Sequence, residues 1–153
     1  MKTFLTINIF LLLFSACSYD NAFSRFDISQ TRERSEESIV SAKIYKQKSV
    51  AGIITCVYLN SVYPQKYKDG EYFYIYLYAK ESNAPMNFIL NDKNASFVKE
   101  LTPNNEFTSL TDSKDDWQNY YLVKFAPQKA TQLKLIAKIA NFSSNPIIFQ
   151  KEN

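Results

Sequence analysis

The chain has 153 residues, 46% hydrophobic and 16% aromatic, with 18 basic and 15 acidic side chains and a net charge of +3. Histidine is absent and there are only two cysteines, which excludes Ser-His-Asp and Cys-His catalysis, imidazole metal sites and a zinc site built on cysteine. A charge of +3 is too small to indicate nucleic-acid binding. We therefore expect one non-enzymatic domain that needs no cofactor and no metal.

Residues 1–16 have the pattern of an export signal peptide. A short basic start is followed by an apolar run from Phe4 to Phe14, well below the roughly 20 residues that a membrane-spanning helix needs. Phe14, the last residue of the run, begins the sequence FSAC at residues 14–17. This sequence resembles the lipobox of bacterial lipoproteins, although that family prefers leucine where Phe14 stands. The resemblance implies cleavage before Cys17, a diacylglycerol on its thiol and stable membrane anchoring through more than one acyl chain.

The residues after the lipobox predict where the anchored protein lies. Position 18 is Ser rather than Asp, which by analogy with lipoprotein sorting implies the outer membrane, on either its periplasmic or its surface face. Residues 17–38 are polar, charged and poor in aliphatic side chains, a composition typical of a flexible tether. A short helix at about Gln30 to Glu37 is the alternative for the end of this segment.

From Ile39 onward the hydrophobic pattern has a period of two, which is typical of β-strands. Turn residues such as Asp69-Gly70, prolines and clusters of Asn and Asp separate the apolar segments. This spacing predicts that residues 39–153 form an all-β fold, an antiparallel β-sandwich of about seven or eight strands. The predicted strands are Ile39–Lys46, Val50–Leu59, Glu71–Ala79, Asn87–Leu90, Ser96–Leu101, Tyr120–Phe125, Leu133–Ile139 and Ile147–Lys151.

Two local patterns resemble an immunoglobulin-like domain. The segment from Ile53 to Cys56 is similar to the second strand with its core cysteine, and Asp116 to Leu122 is similar to the corner before strand F. Leu122 stands where the second cysteine would be, so the disulfide between the sheets is missing. A lipobox, a tether and such a sandwich together resemble small immunoglobulin-like lipoproteins of epsilonproteobacterial envelopes. The resemblance implies architecture and location, and it transfers no functional residue.

Cys56 is left without a partner if Cys17 carries lipid. It lies in an apolar run, from Val50 to Val57, and no histidine is present to activate it. We therefore expect a buried, unreactive thiol.

The strand Glu71–Ala79 contains the most distinctive pattern in the chain. Its even-numbered residues are all tyrosine, so that Tyr72, Tyr74, Tyr76 and Tyr78 share one face and form a stripe roughly 20 Å long. Tyrosine gives a large contact area at a low cost in entropy, which suits a surface that binds protein or sugar. Cross-strand packing on an outer face of the sheet is the alternative, and the sequence leaves both open.

Asn94 is a candidate for glycosylation. It begins the acceptor pattern Asn-Ala-Ser, and Asp92 two residues earlier makes the segment resemble the longer acceptor of the bacterial oligosaccharyltransferase system. An unmodified polar hairpin loop is the alternative. The carboxylates of residues 112–116 lack the spacing of a calcium loop, and we expect a solvated loop there.

Together these features predict a lipid-anchored envelope lipoprotein that acts as a non-catalytic binding or adhesion module. It would contact the membrane through its anchor and a protein or glycan ligand through the tyrosine face. The alternative is a periplasm-facing structural accessory subunit of an envelope or secretion assembly, in which loops make the contacts.

Overall fold

The structure is a computed structural model that describes residues 31–80 and 85–151. The predicted signal peptide, Cys17 and the tether up to residue 30 lie outside the described residues. Within the described part, no helix has the length and apolar character needed to cross a bilayer.

The all-β prediction is confirmed. The described residues form ten strands, and every pair of neighbouring strands is antiparallel. All eight predicted strands are present, together with two very short strands that the sequence did not predict, β5 and β9. The strands are β1 (Ile39–Lys46), β2 (Ser49–Tyr58), β3 (Glu71–Ala79), β4 (Met86–Leu90), β5 (Lys93–Asn94), β6 (Phe97–Leu101), β7 (Asn119–Phe125), β8 (Gln132–Ile139), β9 (Phe142–Ser144) and β10 (Ile147–Gln150).

One curled sheet contains all these strands. Its order is β5-β4-β8-β9-β1-β2-β3-β7-β6, and β10 pairs with β8. The two ends of this order are consecutive in the chain, since only Ala95 and Ser96 separate β5 from β6. The Ala95 N–H donates to the carbonyl of Phe88 in β4, and the Ser96 N–H donates to the carbonyl of Lys124 in β7. This short segment therefore bridges the two edges of the sheet and explains its curl.

The main core lies inside the curl. Because successive side chains of a strand point to opposite faces, the odd-numbered residues of β3 face this core, as do the alternate apolar residues of β4, β7 and β8. Cys56 of β2 also belongs to this core and is completely buried, as the sequence predicted. Burial raises the pKa of its thiol well above the usual value, so the reactive thiolate is disfavoured.

A second hydrophobic cluster covers part of the outer face of β2, β3 and β7. Two loop segments close over the sheet there, one containing the short helix α2 (Leu59–Val62) and the other the short helix α3 (Thr108–Thr111). The buried members of this outer cluster are Val57, Leu59, Val62, Tyr67, Tyr74, Phe107, Leu110 and Tyr120.

The end of the predicted tether is helical, which is the alternative that the sequence left open. Residues 31–37 form a helix, here α1, that is attached to the domain at two points. The fully buried Ser35 hydroxyl lies 3.1 Å from the carbonyl of Leu110, and the Arg32 guanidinium pairs with Asp112 at 2.7 Å. Residues 31–38 thus belong to the same compact unit as the strands.

A hydrogen bond also ties the loop before β7 to that strand. The Tyr120 hydroxyl donates to the carbonyl of Asp115 at 3.1 Å, which links the ring to the backbone five residues upstream.

Candidate binding surfaces

The four tyrosines of β3 lie in different surroundings. Tyr74 is completely buried, with its ring centroid 5.1 Å from that of Phe107 and 6.4 Å from that of Tyr120. Burial is the main cause that raises the pKa of Tyr74 to about 12. Its side chain is an interior one, so the expectation of an open contact face does not hold at this residue.

Tyr72 and Tyr76 are half-buried on either side of Tyr74. The Tyr72 hydroxyl donates to Asp69 at 2.7 Å, and the Lys124 ammonium lies 5.1 Å from the Tyr72 ring centroid while it pairs with the same aspartate at 2.6 Å. Tyr76 stacks against Tyr120 at 6.2 Å, and burial raises its pKa. Both rings have intramolecular packing partners, as the cross-strand alternative expected.

Tyr78 is the exposed member of the row. It is 44% exposed and makes an edge-to-face contact with Trp117, which is 60% exposed, at a centroid distance of 5.5 Å and an angle of 78°. Ile53, directly opposite Tyr78 in β2, is 53% exposed. We call Ile53, Tyr78 and Trp117 the aromatic patch. The aromatic patch is exposed to solvent because the α2 and α3 segments cover only the other half of the outer face of β2, β3 and β7.

The aromatic patch lies away from the point where the chain enters the sheet. Helix α1 leads into β1 at Ile39, which pairs with Val57, whereas Ile53 pairs with Lys43. Four residues of strand correspond to about 13 Å at roughly 3.3 Å per residue.

A cleft of about 850 Å³ lies near the entry point of the chain, within the size range of ligand pockets. Its walls come from α1, the start of β1, the loop between β2 and β3, and β10. Glu71 lies at its base and is 2% exposed as a residue.

The Glu71 carboxylate accepts three hydrogen bonds. Tyr58 donates its hydroxyl to Oε2 at 2.6 Å, while the Lys151 ammonium and the Gln128 N–H donate to Oε1 at 2.7 and 2.8 Å. Burial by itself raises the pKa of Glu71, but these hydrogen bonds outweigh it and the pKa is lowered. For Tyr58, burial and the neighbouring carboxylate raise the pKa. An ionised carboxylate saturated in this way links strands and is a poor general base.

The side chains around this network give the cleft a cationic wall. Arg34 of α1 and Lys68 of the β2–β3 loop both line it, and the Lys68 ammonium donates to the neutral amide of Gln65 at 2.7 Å. Besides Glu71, the described residues that line the cleft include one other carboxylate, that of Glu37. Sequence reasoning missed this cleft, because its charged residues lie far apart in the chain and form no motif.

Asn94 lies on an exposed β-hairpin. Asn91 and Asp92, both with positive φ, form the two-residue turn between β4 and β5, and Asn94 pairs with Ile89. The side-chain Oδ1 of Asn94 accepts a hydrogen bond from the side-chain amide of Asn87 at 3.2 Å, and the Ser96 hydroxyl donates to the backbone carbonyl of Lys124 at 3.0 Å. The side chain is accessible, and its glycosylation stays a prediction.

No protein-family model matches the chain, and a search of curated proteins gives no significant match. Among the described residues there is also no cluster of acidic or cysteine side chains that could hold a metal ion. The FSAC motif at residues 14–17 and the surfaces described above are therefore the features that bear on function.

Proposed function

We propose that this chain is a lipid-anchored lipoprotein of the bacterial outer membrane whose β domain is a non-catalytic binding module. The anchor is supported by the FSAC motif at residues 14–17, directly after an apolar run too short to span a bilayer. Mass spectrometry of the protein extracted from membranes should find acyl groups on Cys17. The Cys17→Ala variant should lack them, and an unmodified wild-type N-terminus would contradict the anchor.

The observation that carries the binding role is the exposure of the aromatic patch. Ile53, Tyr78 and Trp117 are each at least 44% exposed and adjoin one another. Trp and Tyr combine a flat apolar surface with a polar edge, and both are enriched where proteins make contacts. A protein or glycan ligand at the cell envelope fits this chemistry, and Tyr78 takes the role that the sequence suggested for all four tyrosines.

Photo-crosslinking in cells tests the patch. A benzophenone amino acid replaces Tyr78 in the full-length chain, and the same replacement at Phe97 is the control, since Phe97 is 49% exposed on the edge strand β6. We expect an adduct from position 78 that position 97 does not give, and protease digestion of that adduct distinguishes a protein from a glycan. Equal labelling from both positions, or none, would contradict the patch as the contact surface.

Protease treatment of intact cells then tells which face of the membrane carries the domain. Degradation supports a surface adhesin. Protection supports the accessory-subunit alternative, in which the domain faces the periplasm.

The finer architecture is also a proposal. The core side chains of β2, β3 and β7 face those of β4, β8 and β10, which supports a two-layer sandwich. An immunoglobulin-like strand order is not supported, because β2 and β3 are hydrogen-bonded neighbours from Gly52–Ala79 to Tyr58–Phe73. In immunoglobulin domains the second and third strands lie in opposite sheets.

Glycosylation of Asn94 is a separate proposal, supported by its exposure on the hairpin and by Asp92 two residues before it. Glycopeptide mass spectrometry of protein from the native host, with Asn94→Gln as control, tests it. An unmodified peptide that contains Asn94 would contradict it.

A further inference from the structure

Strands β1 and β10 both have an open edge beside the cleft. On that side β1 pairs with β9 only at Ile44 and Tyr45, and the Asn145 N–H donates to the carbonyl of Lys43 at 3.0 Å just before this pairing. Within the described residues, β10 pairs with β8 alone. Val40 of β1 and residues 148–151 all line the cleft, and we call the part of the cleft between them the gap.

The backbone groups that face this gap follow from the hydrogen bonds on the other side of each strand. The carbonyl of Ser38 accepts from Tyr58 of β2, whereas that of Lys43 faces Asn145. In an antiparallel strand, the backbone N–H and C=O groups of successive residues point alternately to one edge and to the other. The N–H and C=O groups of Ile39 and Ser41 therefore point away from β2 and into the gap.

The same argument applies to β10. The Lys151 N–H donates to the carbonyl of Thr131 at 2.8 Å, toward β8, so the backbone groups of Ile148 and Gln150 point away from β8 and into the gap. No backbone hydrogen bond among the described residues engages these groups of β1 or β10. Two rows of donors and acceptors thus border one slot.

We propose that this strand slot, bounded by residues 39–43 of β1 and 147–151 of β10, binds an extended peptide segment of a partner protein by β-strand addition. A polypeptide backbone in extended conformation is the ligand that satisfies rows of N–H and C=O groups, and the flanking side chains then select the sequence. This function goes beyond the proposed contact at the aromatic patch and depends on neither the patch nor the lipid anchor.

The side chains around the slot specify the kind of peptide. Tyr58 and Phe149 form an apolar inner wall, and their rings are 5.9 Å apart. Arg34 makes no ion pair with any described residue, Lys68 is bound to a neutral amide, and Glu37 is the carboxylate that opposes these two cations. Since Lys151 is already paired with Glu71, the slot has an excess positive charge. The peptide should therefore alternate apolar residues, facing inward, with acidic residues near Arg34 and Lys68.

The test begins with a phage-displayed library of random 12-residue peptides, selected on the detergent-solubilised full-length lipoprotein. Fluorescence anisotropy then gives the affinity of the selected peptides. We expect acidic, alternating sequences. Ile148→Pro removes one slot-facing N–H without removing a bond to β8, and it should weaken binding by about tenfold, as the loss of one backbone hydrogen bond predicts. Ile148→Ala keeps the N–H and is the matched control, which we expect to bind within about threefold of wild type.

A change in the peptide keeps the test independent of how the variant folds. N-methylation of the central amides of the selected peptide removes its donors, and it should weaken binding to the unaltered protein. Arg34→Glu should weaken binding further for acidic peptides. The proposal is overturned if the library yields no binder, or if binding is insensitive to both Ile148→Pro and N-methylation. Binding that Trp117→Ala abolishes, and that Ile148→Pro leaves intact, would place the peptide on the aromatic patch and also overturn the slot.

Discussion

The Lys151 ammonium donates to Oε1 of Glu71 at 2.7 Å, across 80 residues of sequence. Glu71 is the first residue of β3, and Lys151 directly follows β10 and also donates to the carbonyl of Gln128 at 2.7 Å. Since β3 and β10 belong to different parts of the curled sheet, this ion pair links its two sides at the base of the cleft.

The first prediction concerns the loss of Lys151. In Lys151→Met the Glu71 carboxylate, 3% exposed, keeps Tyr58 and Gln128 as donors but loses its counter-charge. We expect a loss of about 1.5–3 kcal/mol in the free energy of unfolding, the range for hydrogen bonds to charged groups. Urea unfolding of the lipid-free Cys17→Ser chain, followed by far-UV circular dichroism, measures it.

Two comparisons make this result specific. Lys68→Met removes an exposed cation from the same cleft and should change the stability by about 0.5 kcal/mol or less. The double variant Glu71→Gln with Lys151→Met should recover part of the loss, because no unpaired charge stays buried. A double variant as unstable as Lys151→Met would contradict this explanation.

The second prediction follows from the lowered pKa of Glu71. The folded pKa lies below the unfolded value of about 4.3, so the unfolded chain binds more protons in this range. The stabilisation from the Glu71 charge is therefore complete above about pH 4.5 and is lost as the pH falls through the lower folded pKa. Urea unfolding between about pH 7 and pH 3 should show a steeper loss for wild type than for Glu71→Gln. Parallel curves would mean that this carboxylate contributes nothing to acid sensitivity.

The third prediction separates the tyrosines of β3. Tyr74→Ala leaves a cavity between Phe107 and Tyr120 and should cost about 3–5 kcal/mol, as for other buried aromatic residues. Tyr78→Ala removes one exposed ring and its contact with Trp117, and should cost about 1 kcal/mol or less. The comparison uses the same urea measurement. Equal losses at the two positions would contradict the division of the row into a buried and an exposed part.

The strands were predictable because their information is local. In β3 the odd-numbered residues are core side chains, and the predicted bounds Glu71–Ala79 are those observed. The surroundings of the tyrosines were not predictable, because the cover over Tyr74 comes from Phe107 and Leu110 in a loop without periodicity. A strand pattern shows which residues share a face, but not which distant segment lies over that face.

The cleft was even less predictable from the sequence than the surroundings of the tyrosines. Glu71 occupies a core-facing position of β3, where a carboxylate looks like an exception to the pattern. Only the folded chain brings Tyr58, Gln128 and Lys151 to it. The open edges of β1 and β10 depend in turn on where β9 stops pairing with β1, which is a property of the whole sheet.

The last prediction concerns the turn between β8 and β9. Ala140 has a φ of 49° and, with Asn141, joins the paired residues Ile139 and Phe142. A left-handed conformation costs a residue with a Cβ about 1–2 kcal/mol, and glycine avoids that cost but loses more entropy on folding. We therefore expect Ala140→Gly to stabilise the domain by about 0.5–1 kcal/mol in urea unfolding. Ala137→Gly in the buried middle of β8 is the control and should destabilise it, because glycine there gives up packing and gains no relief. A loss of stability in Ala140→Gly would mean that the methyl group contributes more through its contacts than it costs in strain.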